Sequence, residues 1–154
     1  MSKNGVVLVC VTPQHSCRHL IECGQRFAQQ QNAALHILSV LPQRQSFAPD
    51  WSVLESLNEY AGEFGAEMTV TFSDCPSDSV HKTVSETGVC TLLTGFPGKN
   101  STHFVFDLHG KIPQIPLWMV DSDGTAYTIG HAAQSELQII TDGTFRIPLP
   151  THPQ

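Results

Sequence analysis

The sequence predicts a three-layer α/β fold: a five-stranded parallel sheet between helices, followed by an extra C-terminal β segment. Three observations carry that expectation. Short apolar runs alternate with helix-period segments from residue 5 to residue 120, the pattern of a parallel sheet with right-handed crossovers. Pro13 and Pro42 break the chain just after the first two runs, and Gly88 stands just before the fourth. From Ser122 onward the helical period vanishes and only β-type runs remain.

The elements run in order along the chain. Gly5-Val6-Val7-Leu8-Val9-Cys10-Val11 is a β-type run. Ser16 is placed to cap a helix reaching about Gln31, whose Leu20, Ile21, Phe27 and Ala28, with Cys17 and Gly24, share one face. Asn32 suits the left-handed position after it. Residues 35–41 form a second strand. Asp50 caps a helix through Trp51, Leu54, Leu57 and Tyr60, with Gly65 as its end. Met68, Val70 and Phe72 alternate as a third strand. Pro76 and Ser77 open a helix carrying Val80 and Val84, closed by Gly88. Residues 89–94 are the fourth strand. Residues 103–109 suit a short helix stopped by Gly110, and residues 117–120 are the fifth strand. In the tail, residues 125–129 and 137–140 read as strands. Asp142-Gly143 is a hairpin signal before residues 144–147, and Pro148, Pro150 and Pro153 mark a frayed end.

Bulk properties narrow the function classes. A length of 154 residues allows a core domain over 1–121 and a β-rich extension over 122–154. A formal net charge of -6, with no Lys/Arg cluster, argues against a nucleic-acid partner. No apolar stretch is long enough to span a bilayer. The chain enters its first strand without a leader-like segment. The five cysteines are an odd, irregularly spaced set, which fits reduced, mostly buried thiols and a cytoplasmic location.

Ligands of parallel sheets sit at the carboxyl ends of strands. Residues 12–15 and 95–102 both come directly after strands, so both fall on that edge. In the second loop Gly95, Gly98, Asn100, Ser101 and Thr102 can form an anion nest or an ordinary polar turn, and Lys99 adds a cation. Catalytic signals are sparse. No G-x-S-x-G elbow occurs, Cys10 and Cys90 lie in apolar runs, and Asp107, Asp121 and Asp123 lack the spacing of an acid/base pair. His15, His19 and Cys23 are four apart, but a cap at Ser16 leaves His15 outside the helix. No C-x-x-C pair completes a ligand set. That face reads as solvated and polar, so no metal site is expected.

Residues 5–121 resemble the universal stress protein family, most of all the universal-stress-type domain of potassium-sensor histidine kinases. The resemblance rests on Val7-Leu8-Val9-Cys10-Val11, on residues 18–28 followed by Asn32-Ala33-Ala34-Leu35-His36, on Asp74-Cys75-Pro76-Ser77-Asp78-Ser79-Val80, and on Thr87-Gly88-Val89-Cys90-Thr91-Leu92-Leu93-Thr94-Gly95. It implies a Rossmann-like five-stranded sheet, a homodimer, and an ATP or AMP site built on G-x-x-G, nine residues, then G-[ST]. Gly95-Phe96-Pro97-Gly98 fits the first half. Leu108 stands where the second glycine belongs, and Gly110-Lys111 is displaced without a hydroxyl. Thr12-Pro13 replaces the Asp that meets adenine in ATP-binding members. By this resemblance Thr12 and Pro13 would contact a base or ribose, or serve only as turn residues. Val40 would line an adenine slot, or pack in the core.

The expected function is a non-catalytic, adenine-nucleotide-binding regulator, with AMP favoured over ATP, no required cofactor, and at most slow incidental hydrolysis. The alternative is a degenerate universal-stress fold acting as a dimeric or partner-binding scaffold without nucleotide. Ile115, Leu117, Trp118, Met119 and Val120 make the fifth strand apolar for a bare edge. Either a homodimer or the tail, with Tyr127, Ile129, Ile139 and Ile140, would cover it.

Overall fold

In a computed structural model the chain builds one seven-stranded sheet. The structure describes residues 5–43, 48–95, 102–131 and 137–146, with side chains described up to residue 128 except at 102 and 103. The elements are β1 (Val6–Cys10), α1 (Cys17–Gln31), β2 (Ala34–Leu41), α2 (Trp51–Gly62), β3 (Glu67–Phe72), α3 (Pro76–Thr87), β4 (Val89–Gly95), α4 (Thr102–Lys111), β5 (Leu117–Val120), β6 (Thr125–His131) and β7 (Leu137–Arg146). The strand order is β3-β2-β1-β4-β5-β6-β7. The first five strands run parallel, and β6 and β7 add antiparallel to the β5 edge. The expected three-layer α/β fold with a C-terminal β segment is therefore present.

Strand alternation divides the core in two. Val7, Val9, Ile37 and Leu93 face α1 and α2. Leu8, Leu38, Leu92, Leu117 and Met119 face α3 and α4. A strand buried on both faces reads as a continuous apolar run, which is why β1 and β4 were visible in sequence. Gly24 lets α1 approach the sheet: a Cβ there would collide with Val9 Cγ2 and lie 3.0 Å from Leu35 Cδ1. Asn32 takes the left-handed conformation (φ 52°, ψ 48°) that turns the chain from α1 into β2.

Several expectations are corrected. α2 ends at Gly62, and Gly65 (φ 73°) instead closes the turn beyond it. Gly110 does not stop α4, which continues to Lys111, whose side chain is anchored to Asp107 and Asp78. Asp142-Gly143 makes no hairpin and lies within β7. There β6 advances two residues, Thr128 to Ala126, while β7 advances five, Ile140 to Phe145, so a bulge absorbs the turn-like dipeptide. The fifth-strand edge is not free for a twin, because β6 pairs with it at Trp118↔Thr128, Met119↔Tyr127 and Val120↔Ala126. Its faces are covered too: Trp118 packs on Phe27, ring centroids 5.5 Å apart, and Met119 is fully buried. Cys10 and Cys90 are only half-buried, whereas Cys23, expected on a solvated face, has no exposed surface. Among the described residues, no helix is long and apolar enough to cross a membrane.

Candidate functional site

The chain leaves β1 toward β2 and β3 on one side, then returns through β4 toward β5 on the other. The sheet order thus reverses between β1 and β4, and the connections diverge there to leave a crevice. A crevice of about 810 Å³ lies at the carboxyl ends of β2, β1, β4 and β5. Its apolar wall comes from Leu38, Val40, Val80, Val105 and Val120. Polar groups enter from Thr12, Gln14, Ser16, His19, Thr94, Asp121 and Ser122. Apolar walls with a few convergent polar groups are the usual make-up of a small-molecule site.

The start of α1 forms part of this wall but is already satisfied. Cys17, Arg18 and His19 donate their amides to the carbonyls of Gln14, His15 and Ser16 at 3.0, 3.1 and 3.2 Å. The Ser16 side chain makes no capping bond. An anion therefore finds no ready set of free amides at that helix end. The half-buried Cys10 thiol, also in the wall, is pushed up to about 12 by desolvation, so it stays protonated and weakly nucleophilic.

The charge balance of the crevice is distinctive. Among the described lining residues no Lys or Arg occurs, and Asp121 is the one carboxylate. Asp121 lies just beyond β5 and is held by its own turn. Its Oδ1 accepts from the amides of Asp123 and Thr125, each at 3.1 Å, and its Oδ2 accepts from the Tyr127 hydroxyl at 3.4 Å. The turn closes through Asp121 N donating to Thr125 O at 3.0 Å, and Gly124 adopts φ 91° within it. A carboxylate fixed in this way has little rotamer freedom left to lose when a ligand arrives.

A second polar cluster joins α3 to α4. Lys111 Nζ lies 2.6 Å from Asp78 Oδ1, 3.2 Å from Asp107 Oδ2 and 2.7 Å from Ser77 Oγ, and the Ser77 hydroxyl donates to Asp107. The Lys111 hydrogen bond holds Asp78 below the ordinary carboxylate range, and the Ser77 hydrogen bond does the same for Asp107. Asp78 in turn raises Lys111. A lysine kept protonated by two carboxylates is no general base. The cluster is a clamp that sets the position of α4 rather than a Ser/Lys catalytic pair.

Of the residues expected at the site, Thr12, Val40 and Gly95 line the crevice together. Pro13, half-exposed in the same loop, does not line it. Thr102 opens α4, and Phe104 and Val105 behind it reach the crevice. Gly98, Lys99, Asn100 and Ser101 lie outside the described residues. Asp121, Ser122 and Gln14 were not anticipated. For Asp121 the available signal was its place immediately after a parallel strand. His19 Nε2 lies 3.9 Å from the buried Cys23 Sγ, and no group of three metal-ligating residues occurs among the described residues.

No protein-family model and no curated protein matches the sequence. Solved structures do match. A universal stress protein in complex with cAMP is 18% identical, with a TM-score of 0.61 over 79% of this chain and 99% of its own. The universal stress protein from Archaeoglobus fulgidus in complex with dAMP is 13% identical, with a TM-score of 0.55 over 76% of this chain and 97% of its own. A triple mutant of a deacetylase involved in the teicoplanin biosynthetic pathway is 11% identical, with a TM-score of 0.55 over 88% of this chain and 76% of its own. One fold thus serves both nucleotide complexes and an enzyme, so function has to be argued from the site. At these identities the likeness is one of architecture: this chain has the α/β fold of the universal stress proteins.

Proposed function

We propose that this protein is a non-catalytic, adenine-nucleotide-binding regulator of the universal stress type, with AMP preferred over ATP. The observation that carries the reading is the joint presence of Thr12, Val40 and Gly95 around one crevice of about 810 Å³ at the sheet's switch point. Two similar folds hold cAMP and dAMP, both monophosphates. The adenine would lie against Val40 and Thr12. The phosphate would meet the loop that begins at Gly95, where Gly98, Lys99, Asn100, Ser101 and Thr102 supply the donors. A triphosphate is disfavoured because Leu108 replaces the second glycine of the expected pattern.

The non-catalytic reading rests on the clamp lysine, which is charged, and on the Cys10 thiol, which is protonated. Localisation in the cytoplasm accords with the cysteine pattern of the sequence. For assembly, β6 occupies the β5 edge, so two copies would pair through the outer edge of β7. A monomer mass by light scattering at micromolar concentration would contradict that pairing.

Calorimetric titration with AMP, ADP and ATP tests the proposal. Affinity should fall in that order. Heat from none of the three, with folded protein, favours the scaffold alternative, in which the crevice is vestigial and only association remains.

A further inference from the structure

We propose that Asp121 is the sugar-recognising residue of this crevice, accepting hydrogen bonds from the ribose hydroxyls of the bound nucleotide. The inference rests on the nucleotide reading above and adds to it a position and a chemistry.

Three observations converge on Asp121. First, among the described lining residues it is the one carboxylate, and none of them is Lys or Arg. A carboxylate repels a phosphate and attracts neutral hydroxyl donors. Second, its orientation is fixed before any ligand arrives. The amides of Asp123 and Thr125 occupy Oδ1 at 3.1 Å each, while Oδ2 carries a single long bond, 3.4 Å from the Tyr127 hydroxyl. A carboxylate oxygen has about two lone-pair sites, so Oδ2 retains capacity for a further donor. Third, the strand order sets the spacing. Val40 on β2 and Asp121 after β5 flank β1 and β4. Three inter-strand steps of about 4.8 Å separate them by about 14 Å. A base held near Val40 and Thr12 leaves its sugar lying across the ends of β1 and β4, toward Asp121. The phosphate is then turned away from the carboxylate and toward the end of β4 at Gly95.

Comparing AMP with 2′,3′-dideoxyadenosine 5′-monophosphate, on the wild type and on Asp121→Asn, tests this by calorimetry. Asparagine preserves the shape and an Oδ1 acceptor for the turn amides, and it replaces Oδ2, the acceptor offered to the ribose, with a donor. Wild type should bind AMP about tenfold more tightly than the dideoxy analogue, the usual worth of a hydrogen bond to a charged group. D121N should lose that discrimination by weakening AMP alone, with the analogue unchanged. An equal loss for both ligands would mean that the substitution disturbs the crevice generally, and would overturn the inference. Discrimination retained in D121N would also overturn it, as would a D121N effect seen only when magnesium is present, which would make Asp121 a metal ligand. Absence of AMP binding by the wild type would defeat the nucleotide reading itself and the inference with it. That outcome is distinct from binding without ribose discrimination.

Discussion

Lys111 Nζ stands 2.6 Å from Asp78 Oδ1, joining the last turn of α4 to the first turn of α3. Both charges complement their helix ends, a cation at a C-terminus and an anion at an N-terminus. The contact matters because α4 carries Phe104 and Val105 to the crevice and comes after the glycine loop.

Replacing Lys111 by Met should lower the melting temperature modestly, since both partners are partly exposed and screened by solvent. Asp78 and Asp107 are held below their ordinary value of 3.8, so their contribution is full above that pH and is lost as pH falls through the depressed values. Lys111 is raised above its ordinary 10.5, so its contribution is full below that pH and is lost as pH rises through the raised value. Thermal melts from pH 2 to 7 should therefore show wild type and K111M converging in acid and diverging toward neutrality. Parallel curves across that range would show that the clamp contributes nothing.

Gly24→Ala should destabilise the protein despite the better helix propensity of alanine. The added methyl meets Val9 Cγ2 on a fully buried strand. Overpacking of this kind costs about 1–3 kcal/mol, against a helix gain of about 1 kcal/mol. Urea denaturation should show a net loss of about 1 kcal/mol, and a gain in stability would contradict the close packing of α1 on β1.

Much of the fold was legible because it is local. Asp50 accepts from the Val53 amide at 3.4 Å as an N-cap should, and Gly88 (φ 67°) closes α3 where the sequence placed it. Gly110 and Asp142-Gly143 misled because distant partners override local preference. Lys111 anchors the turn that contains Gly110, and pairing with β6 carries β7 through Asp142-Gly143. At the site, Thr12, Val40 and Gly95 were legible because each stands at or near the carboxyl end of a strand. Asp121 stands at such an end too, but its place in the crevice depends on β5 lying beside β4. Strand order is a product of long-range packing and is not written in any local run. The apolar face of β5 left two covers open in sequence for the same reason, and Phe27 and β6 supply the cover from within the chain.

Gly95→Leu should block the crevice without unfolding the protein. Among the described residues a Cβ at Gly95 meets nothing within 4 Å, and Gly95 lines the crevice wall. Stability should stay within about 0.5 kcal/mol of wild type, while AMP affinity falls at least tenfold. Full affinity in a folded G95L variant would move the ligand away from the end of β4.

Amide chemical-shift mapping with AMP tests the nucleotide site at residue level. Titration of isotope-labelled protein should move the amides of Thr12, Val40, Gly95 and Asp121 together, along one saturating curve, because they line a single crevice across four strand ends. ATP should move the same set with weaker saturation. Shifts confined to α2 and β3, or no shifts at millimolar AMP, would contradict a nucleotide site at the β1/β4 switch point.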